Sequence, residues 1–435
     1  MLGIVISNYN KGRETLSCLE SVFASRGLGD YRVFVIDNAS TDNSYELILE
    51  KVSEYNAGDY GTGGIISAVR RENDLGSCGG LNLGIKKLLD DGCDYVCCLG
   101  EAVTVDEDAL ANMLGFMKSC PNVGMLGGKV FHKHMPHYIQ QYGISIDFRN
   151  FRAQTLYADA LDDDTVPSVV YCDAVSACGM MFSAKAVERA GLMPEENFLY
   201  WDDTEWGYRI KLAGFDVAAL GDARMYHSAS PMRRYENTKA NYYLTRNCLN
   251  FFMKYTKPES CAKMSIVLLR SVFDAFYLHN MGNAHNMAQS DISALLDAVY
   301  GILGQAKSSR ILENDESGLG FVNFFEEQEQ VYIEDDDPFL EQVIRQINPD
   351  IVFVQLPAPD IITIVRCDSI LNLKDFKFSM DFDETVVYID KSYHMLATRE
   401  DAEYVKNYEP SLQLFLSAMQ PAVLRRIEEM RGIKS

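Results

Sequence analysis

The sequence predicts an α/β protein: a mainly parallel sheet with helices on both faces, then a helical extension and a small C-terminal α/β or α+β domain. Three observations carry this. Strand-length apolar runs alternate with amphipathic helical patterns over the first 120 residues. Those runs are apolar throughout, as in strands buried on both faces. From about 235 the pattern turns helical, and strands return after a polar stretch at 307–318. The expected domains are 1–234, 235–310 and 319–435.

The elements follow in order. "LGIVISNY" (2–9) reads as a strand, not a secretion signal, because no basic leader precedes a long apolar run. "RETLSCLESVFAS" (13–25) is an amphipathic helix, and "YRVFVIDNAS" (31–40) is a strand ending in turn residues. "NSYELILEKVSEY" (43–55) is a helix, "GGIISAVRRE" (63–72) holds a short strand, and "GGLNLGIKKLLDDG" (79–92) enters a helix. "DYVCCL" (94–99) is the next strand, Asp106 and Asp108 precede another helix, and "NVGMLGGKVF" (122–131) is a strand. A loose polar stretch runs to about 170. "VYCDAVSACGMMFSAKAVERAG" (170–191) reads as strand, turn, strand and helix. "FLYWDDTEWGYRIKLAG" (198–214) turns into a helix that stops at Gly214, and a strand then ends at His227.

Composition narrows the function classes. Asp and Glu number 62 against 40 Lys and Arg, a formal charge of −22, so nucleic acid is an unfavourable partner. The 11 cysteines show no paired CxxC spacing and read as reduced residues of a cytoplasmic protein. The apolar stretch near 264–278 is broken by Arg270 and Asp274 and is too short to span a bilayer. It is expected to pack against the first domain, with peripheral membrane contact and self-association left open.

Four constellations carry chemistry. In "VIDNASTDNS" Asp37 ends a strand, where a carboxylate accepts from a base N–H; the plainer alternative is that it orders the turn. In "NDLGSCGGLNLGI" Gly76, Gly79 and Gly80 let backbone approach a ligand, with Asp74 before them and Asn82 in the first helical turn, or they simply make a tight turn. This is neither GxGxxG nor a P-loop. Asp202 and Asp203 precede a helix whose apolar face includes Trp206 and Ile210, and either a base or an N-cap fits. His227 ends a strand, where an imidazole ligates metal or contacts phosphate, although a lone His is usually structural. "FHKHMPHY" holds His132, His134 and His137, but no further ligands cluster beside them and a loop is the better reading.

These motifs, in this order, resemble family 2 glycosyltransferases of the GT-A fold, a Rossmann-like mixed sheet, over about residues 2–255. "VISNYNK", "SACGMMFSAKAVERAGLMPEENFLYWDD" and "RMYHSAS" add to the likeness. "YYLTRNCLNF" resembles the rhamnosyl- and galactofuranosyltransferase branch. The resemblance implies inverting transfer from an NDP-sugar to a hydroxyl of a glycan or lipid-linked acceptor, as in cell-surface polysaccharide synthesis, and usually a divalent cation, Mn²⁺ or Mg²⁺. It implies Asn8, Asp37 and Asn38, with the glycine turn, on the nucleotide. It implies Asp203 as general base, and Asp202 and Trp201 on the acceptor side. Asp173, Ser176, Ala177 and Gly179 are implied to line the sugar and acceptor pocket. A peripheral position at the inner face of the plasma membrane goes with lipid-linked acceptors.

One place departs from the family pattern. Where an Asp-x-Asp tip is expected after "VCCL", the chain reads Gly100-Glu101-Ala102. A hard cation takes several oxygen ligands, and here only Glu101 and His227 remain to supply them. Three readings follow: a metal-independent enzyme using cations such as Arg233 or Arg234, weak metal binding, or a sugar-nucleotide-binding or scaffold protein without turnover. A nucleotidyltransferase is disfavoured, because the loop after the first strand holds only Lys11 and Arg13 as basic residues.

Overall fold

The computed structural model describes residues 1–58, 65–228, 237–314, 320–375 and 383–432. They fall into two compact units, Met1–Ser230 and Pro231–Ser435. Arg233 and Arg234 lie outside the described residues.

The first unit opens with β1 (Leu2–Asn8), α1 (Gly12–Phe23), β2 (Tyr31–Asp37), α2 (Ser44–Ala57), β3 (Ile65–Arg70), α3 (Gly76–Asp90) and β4 (Tyr95–Leu99). It continues through β5 (Val103–Val105), α4 (Ala109–Ser119), β6 (Val123–His132), β7 (Met135–Gln141), β8 (Ile144–Asp147) and β9 (Arg152–Thr155). It closes with β10 (Val169–Cys172), β11 (Gly179–Ser183), α5 (Ala184–Ala190), α6 (Asp202–Leu212) and β12 (Asp216–His227). The stretch read as loose after 132 therefore holds three short strands, β7 to β9, whose mixed polar residues gave no clear period.

The main sheet runs β3-β2-β1-β4-β11-β6-β12-β10. β1 to β4 pair in parallel, but β11 lies antiparallel between β4 and β6. Five of the nine pairings in this sheet are antiparallel, so the whole sheet is mixed, as the GT-A resemblance implies, while β1 to β4 keep the parallel pairing read from the first 120 residues. An apolar run reports burial on both faces and carries no signal of strand direction. Residues alternate between two cores: Ile4 and Ile6 face Cys18, Leu19 and Val22 of α1, while Val5 faces Cys78, Leu81 and Ile85 of α3. All 11 cysteines are free thiols.

Strand order reverses between β1 and β4, the place where open α/β sheets hold ligands. Register sets Asn8 beside Asp37 and Ile6 beside Leu99, so β1, β2 and β4 end together at one rim. α3 lies tightly over that rim's strands: a Cβ on Gly84 would meet Val5 Cγ1 at 2.8 Å and Ile36 Cδ1 at 2.9 Å.

The second unit joins what the sequence divided at 310. Its helices α7 (Thr238–Tyr255), α8 (Cys261–Met281) and α9 (His285–Val299) precede α10 (Gly320–Glu326), β13 (Gln330–Ile333), α11 (Pro338–Ile347), β14 (Val352–Phe353) and β15 (Ile362–Arg366). Then come β16 (Val386–Ile389), β17 (Met395–Leu396), α12 (Arg399–Lys406) and α13 (Tyr408–Met430). The five strands form one sheet, β14-β13-β15-β16-β17, parallel except at β17. Phe273, Tyr277 and Leu278 of α8 share a core with Ile370, Leu371, Leu396 and Leu412, so the apolar face expected to cover the first domain is buried within its own unit. Among the described residues no helix is long and apolar enough to cross a membrane.

Candidate active site

The site begins where β1 and β2 end. Asn8 Nδ2 donates to Asp37 Oδ2 at 2.7 Å and to Ser40 Oγ at 3.0 Å, and Thr15 Oγ1 donates to Asn8 Oδ1 at 2.8 Å. Asp37 Oδ1 accepts from the Ser40 amide at 3.0 Å and lies 3.7 Å from Arg70 Nε. The carboxylate is only 1% exposed. Asp37 thus orders its turn, while two carboxylate oxygens can accept about four bonds in all, so capacity for one further donor remains. Asn38 Nδ2 donates to Asp74 Oδ1 at 2.7 Å and to the Gly76 carbonyl at 3.0 Å, which ties this turn to the start of α3.

α3 begins at Gly76, three residues before the expected start, and its first turn faces protein. The Ser77 amide donates to the Phe198 carbonyl at 3.0 Å. Gly76 has φ 73°, and a Cβ there would sit 1.8 Å from that same oxygen. Added Cβ atoms on Gly79 and Gly80 would meet Leu75 at 2.6 Å and Asn38 at 3.7 Å. Asn82, in the second turn, donates to the Met193 carbonyl at 3.0 Å and Glu195 Oε1 at 2.9 Å, and accepts from the Met193 amide. The expectation that Gly76 is open to a donor and that Asn82 lies on the nucleotide is corrected here, since both meet the 193–202 loop. At Gly76 close approach is used by the Phe198 carbonyl of the 193–202 loop, which the Ser77 amide satisfies.

The captured loop carries the acidic pair. Phe198, Tyr200 and Trp201 have φ of 64°, 59° and 64°, left-handed values that cost about 1–3 kcal/mol each in non-glycine residues. Their strain is borne by the α3 contacts on one side and by α6 on the other, where Trp206 and Ile210 are fully buried. Asp202 is 3% exposed and accepts from Ser77 Oγ at 2.8 Å. Asp203 Oδ2 accepts from the Ala177 amide at 2.9 Å, and its Oδ1 from the Thr204 amide at 2.6 Å and hydroxyl at 3.1 Å. Burial, then the Asp203 charge, pushes the Asp202 carboxyl up to about 7. Burial raises Asp203 as well, opposed by its donors from Ala177 and Thr204. Asp203 is therefore the member better held as the anion. Ser77, which joins α3 to the pair, was missed by sequence reasoning, which began this helix at 79 and so left Ser77 in the turn before it.

The turn after β10 closes a circuit. Gly100 N donates to the Cys178 carbonyl at 3.1 Å, next to the Ala177 amide that holds Asp203. Ser176 Oγ accepts from the Cys178 amide, and a Cβ on Gly179 would lie 2.2 Å from Met225 Sδ. Bonds thus run from Asn8 and Asp37 through Asn38, Gly76, Ser77, Asp202, Asp203, Ala177 and Cys178 to Gly100 at the end of β4. Asp173 does not join this circuit. It accepts from the Ile146 amide at 2.7 Å, pairs with Lys211, and lines a separate cavity of about 210 Å³ with Tyr171 and Cys172.

The β4 tip fits a divalent cation poorly, because its side chains supply few of the oxygen ligands a hard cation takes. Ala102 offers no side-chain oxygen. Glu101 pairs with Lys11 at 3.8 Å, and His227 Nδ1 is bonded to Gln140 Oε1 at 2.8 Å, which orients the ring without adding an oxygen ligand at the tip. Among the described residues no group of three or more His, Cys, Asp or Glu is placed to hold a metal ion. That includes the 132–137 histidines, of which His132 is buried and bonded to Asp159 at 2.9 Å.

Residues 3–177 match the Glycosyl transferase family 2 model. The chain is 22% identical over 304 residues to chondroitin synthase of Escherichia coli, covering 63% of this chain and 42% of that protein. It is 22% identical over 243 residues to the dTDP-rhamnosyl transferase RfbF of Shigella flexneri, covering 51% of this chain and 75% of that protein. It thus spans under half of the first relative and three quarters of the second. Among solved structures, GalNAc-T7 with UDP, GalNAc and Mn²⁺ aligns with a TM-score of 0.47 at 13% identity, over 61% of this chain and 50% of that one. S. aureus TarS aligns with a TM-score of 0.43 at 15% identity, over 69% and 49%.

Two outcomes follow from the geometry. Gly76→Ala forces a side chain into the Phe198 carbonyl at a left-handed φ, and is expected to cost at least about 2 kcal/mol in urea unfolding. Folding pushes the Asp202 carboxyl up from its ordinary 3.8 to about 7, through burial and then the Asp203 charge. Its contribution to stability is therefore full below the lower value and lost as pH rises through the higher one. Asp202→Asn is expected to melt closest to wild type near pH 3, to gain on it progressively between about pH 4 and 7, and to stay several degrees above it at pH 8 in a calorimetric pH series.

Proposed function

We propose that this family 2 glycosyltransferase is an inverting enzyme that moves a sugar from a UDP- or dTDP-linked donor to a hydroxyl of a polysaccharide or glycolipid acceptor. The observation that carries this reading is the bonded circuit joining the Asp37 turn to Asp203 around the ends of β1, β2 and β4. The Asn8–Asp37 turn takes the nucleobase, with the remaining acceptor capacity of Asp37 directed to a ring N–H. Asp203 takes the proton of the acceptor hydroxyl as its oxygen attacks the anomeric carbon from the face opposite the diphosphate. The new C–O bond forms, the bond to the β-phosphate oxygen breaks, and the nucleoside diphosphate departs with the bonding pair. A carboxylate raised by burial is a stronger base than one in water, and help of this kind contributes typically about 10²–10⁴-fold. Asp202, whose carboxyl is pushed up by burial and by the Asp203 charge, takes up a proton more readily than a free carboxylate and so eases the charge on the pair.

The relatives' names include a dTDP-rhamnosyl transferase and a chondroitin synthase, so the donor sugar is open within the NDP-sugar class. Ala102 favours one second reading, a protein that binds sugar nucleotides without transfer. A donor-hydrolysis assay separates the two, since an active site that binds donor but never cleaves it supports the second. Asp203→Asn is expected to lower kcat by about 10²–10⁴-fold while leaving the Kd for nucleoside diphosphate within about twofold. Stopped assays with a panel of UDP- and dTDP-sugars, paired with calorimetric titration, check both numbers. Unchanged turnover would remove Asp203 from the role of base.

A further inference from the structure

We propose that cations of the chain, Lys11 at the β4 tip with Arg13 and Lys133 beside Ala102, neutralise the donor's diphosphate, and that nucleotide binding needs no divalent ion. This rests on the reading of the chain as an NDP-sugar enzyme. The first support is the donor set. A hard cation at the tip would find one carboxylate, Glu101, and that carboxylate is 3.8 Å from the Lys11 ammonium. A metal ion on Glu101 would face that positive charge at close range, and their repulsion weakens binding. Both partners are about one-quarter exposed, 24% for Lys11 and 26% for Glu101, so the ammonium is reachable by an incoming anion.

The second support is a cavity of about 130 Å³ against Ala102. Its lining includes Arg13 and Lys133, the hydroxyls of Thr104 and Ser228, and one carboxylate, Glu14. Guanidinium, ammonium and hydroxyl groups together suit phosphate oxygens. In a chain of net charge −22, two cations on one small cavity mark it off from the acidic surroundings.

The two supports describe one electrostatic exchange. A carboxylate with a divalent ion offers the diphosphate a net single positive charge. An alanine beside lysine and arginine offers the same sign from groups already in place. A carboxylate at position 102 without an ion would repel the diphosphate, so alanine and the local cations are mutually consistent. As the bond to the sugar breaks, charge grows on the β-phosphate oxygens, and fixed cations there favour departure.

Calorimetric titration of the full chain with UDP, dTDP and UMP, first in EDTA and then with Mn²⁺, tests this. In EDTA the better diphosphate is expected to bind at least about tenfold tighter than UMP, and Mn²⁺ to change its Kd by less than about threefold. Lys11→Gln and the pair Arg13→Ala with Lys133→Ala are expected to weaken the diphosphate at least about tenfold and leave UMP unchanged. Glu101→Gln is the opposite-sign control: by freeing Lys11 it is expected to tighten the diphosphate in EDTA, an outcome that misfolding does not produce. Equal binding of UDP and UMP in EDTA, with Mn²⁺ tightening UDP at least about tenfold, would overturn the inference and leave the transferase reading standing. Failure of every nucleotide to bind under every condition would overturn both.

Discussion

The arrangement depends on one carbonyl. The Phe198 oxygen is held by the Ser77 amide at the start of α3, and it fits only because Gly76 has no side chain. That contact anchors a loop in which three residues sit at left-handed φ values, and the loop delivers Asp202 and Asp203 to the first turn of α6. Without the anchor the strain would relax, and the pair would lose both its burial and its bond to Ser77. Local strain survives here because packing over-determines it.

The sheet supplies the other half. A reversal of strand order between β1 and β4 leaves a gap at the rim, and register brings Asn8, Asp37 and Gly100 to its edge. α3 runs over β1 and β2, close enough that Gly84 could not carry a side chain without displacing Val5 or Ile36. One helix therefore packs on the strands that carry the Asp37 turn and, through its N-terminus, holds the acidic pair. α3 is thus the element that ties two distant stretches of sequence to one rim of the sheet.

Much of this was legible in the chain. Apolar runs placed β1, β2, β4 and β6 within a residue or two, and the change of pattern near 235 lies close to the division between the units. The pairing direction of β11 was not legible, because burial on both faces leaves no directional mark. Gly76 was read as open to a ligand when it is closed by Phe198. A glycine signals close approach, but sequence does not say whether the approaching group is substrate or chain. Asp173 belonged to a convincing motif yet turned to Lys211, since a residue next to a strand end can face either side of the sheet. Ala102 was legible as a lost ligand, whereas the Lys11 pairing with Glu101 required coordinates.

A crystal structure of the chain with bound UDP or dTDP tests the central claim most directly. The account predicts the base against the Asn8–Asp37 turn, the diphosphate toward Lys11 and Ala102, and Asp203 facing the position that the sugar carbon takes. A nucleotide seated away from that rim, for example in the cavity beside Asp173 and Tyr171, would contradict it.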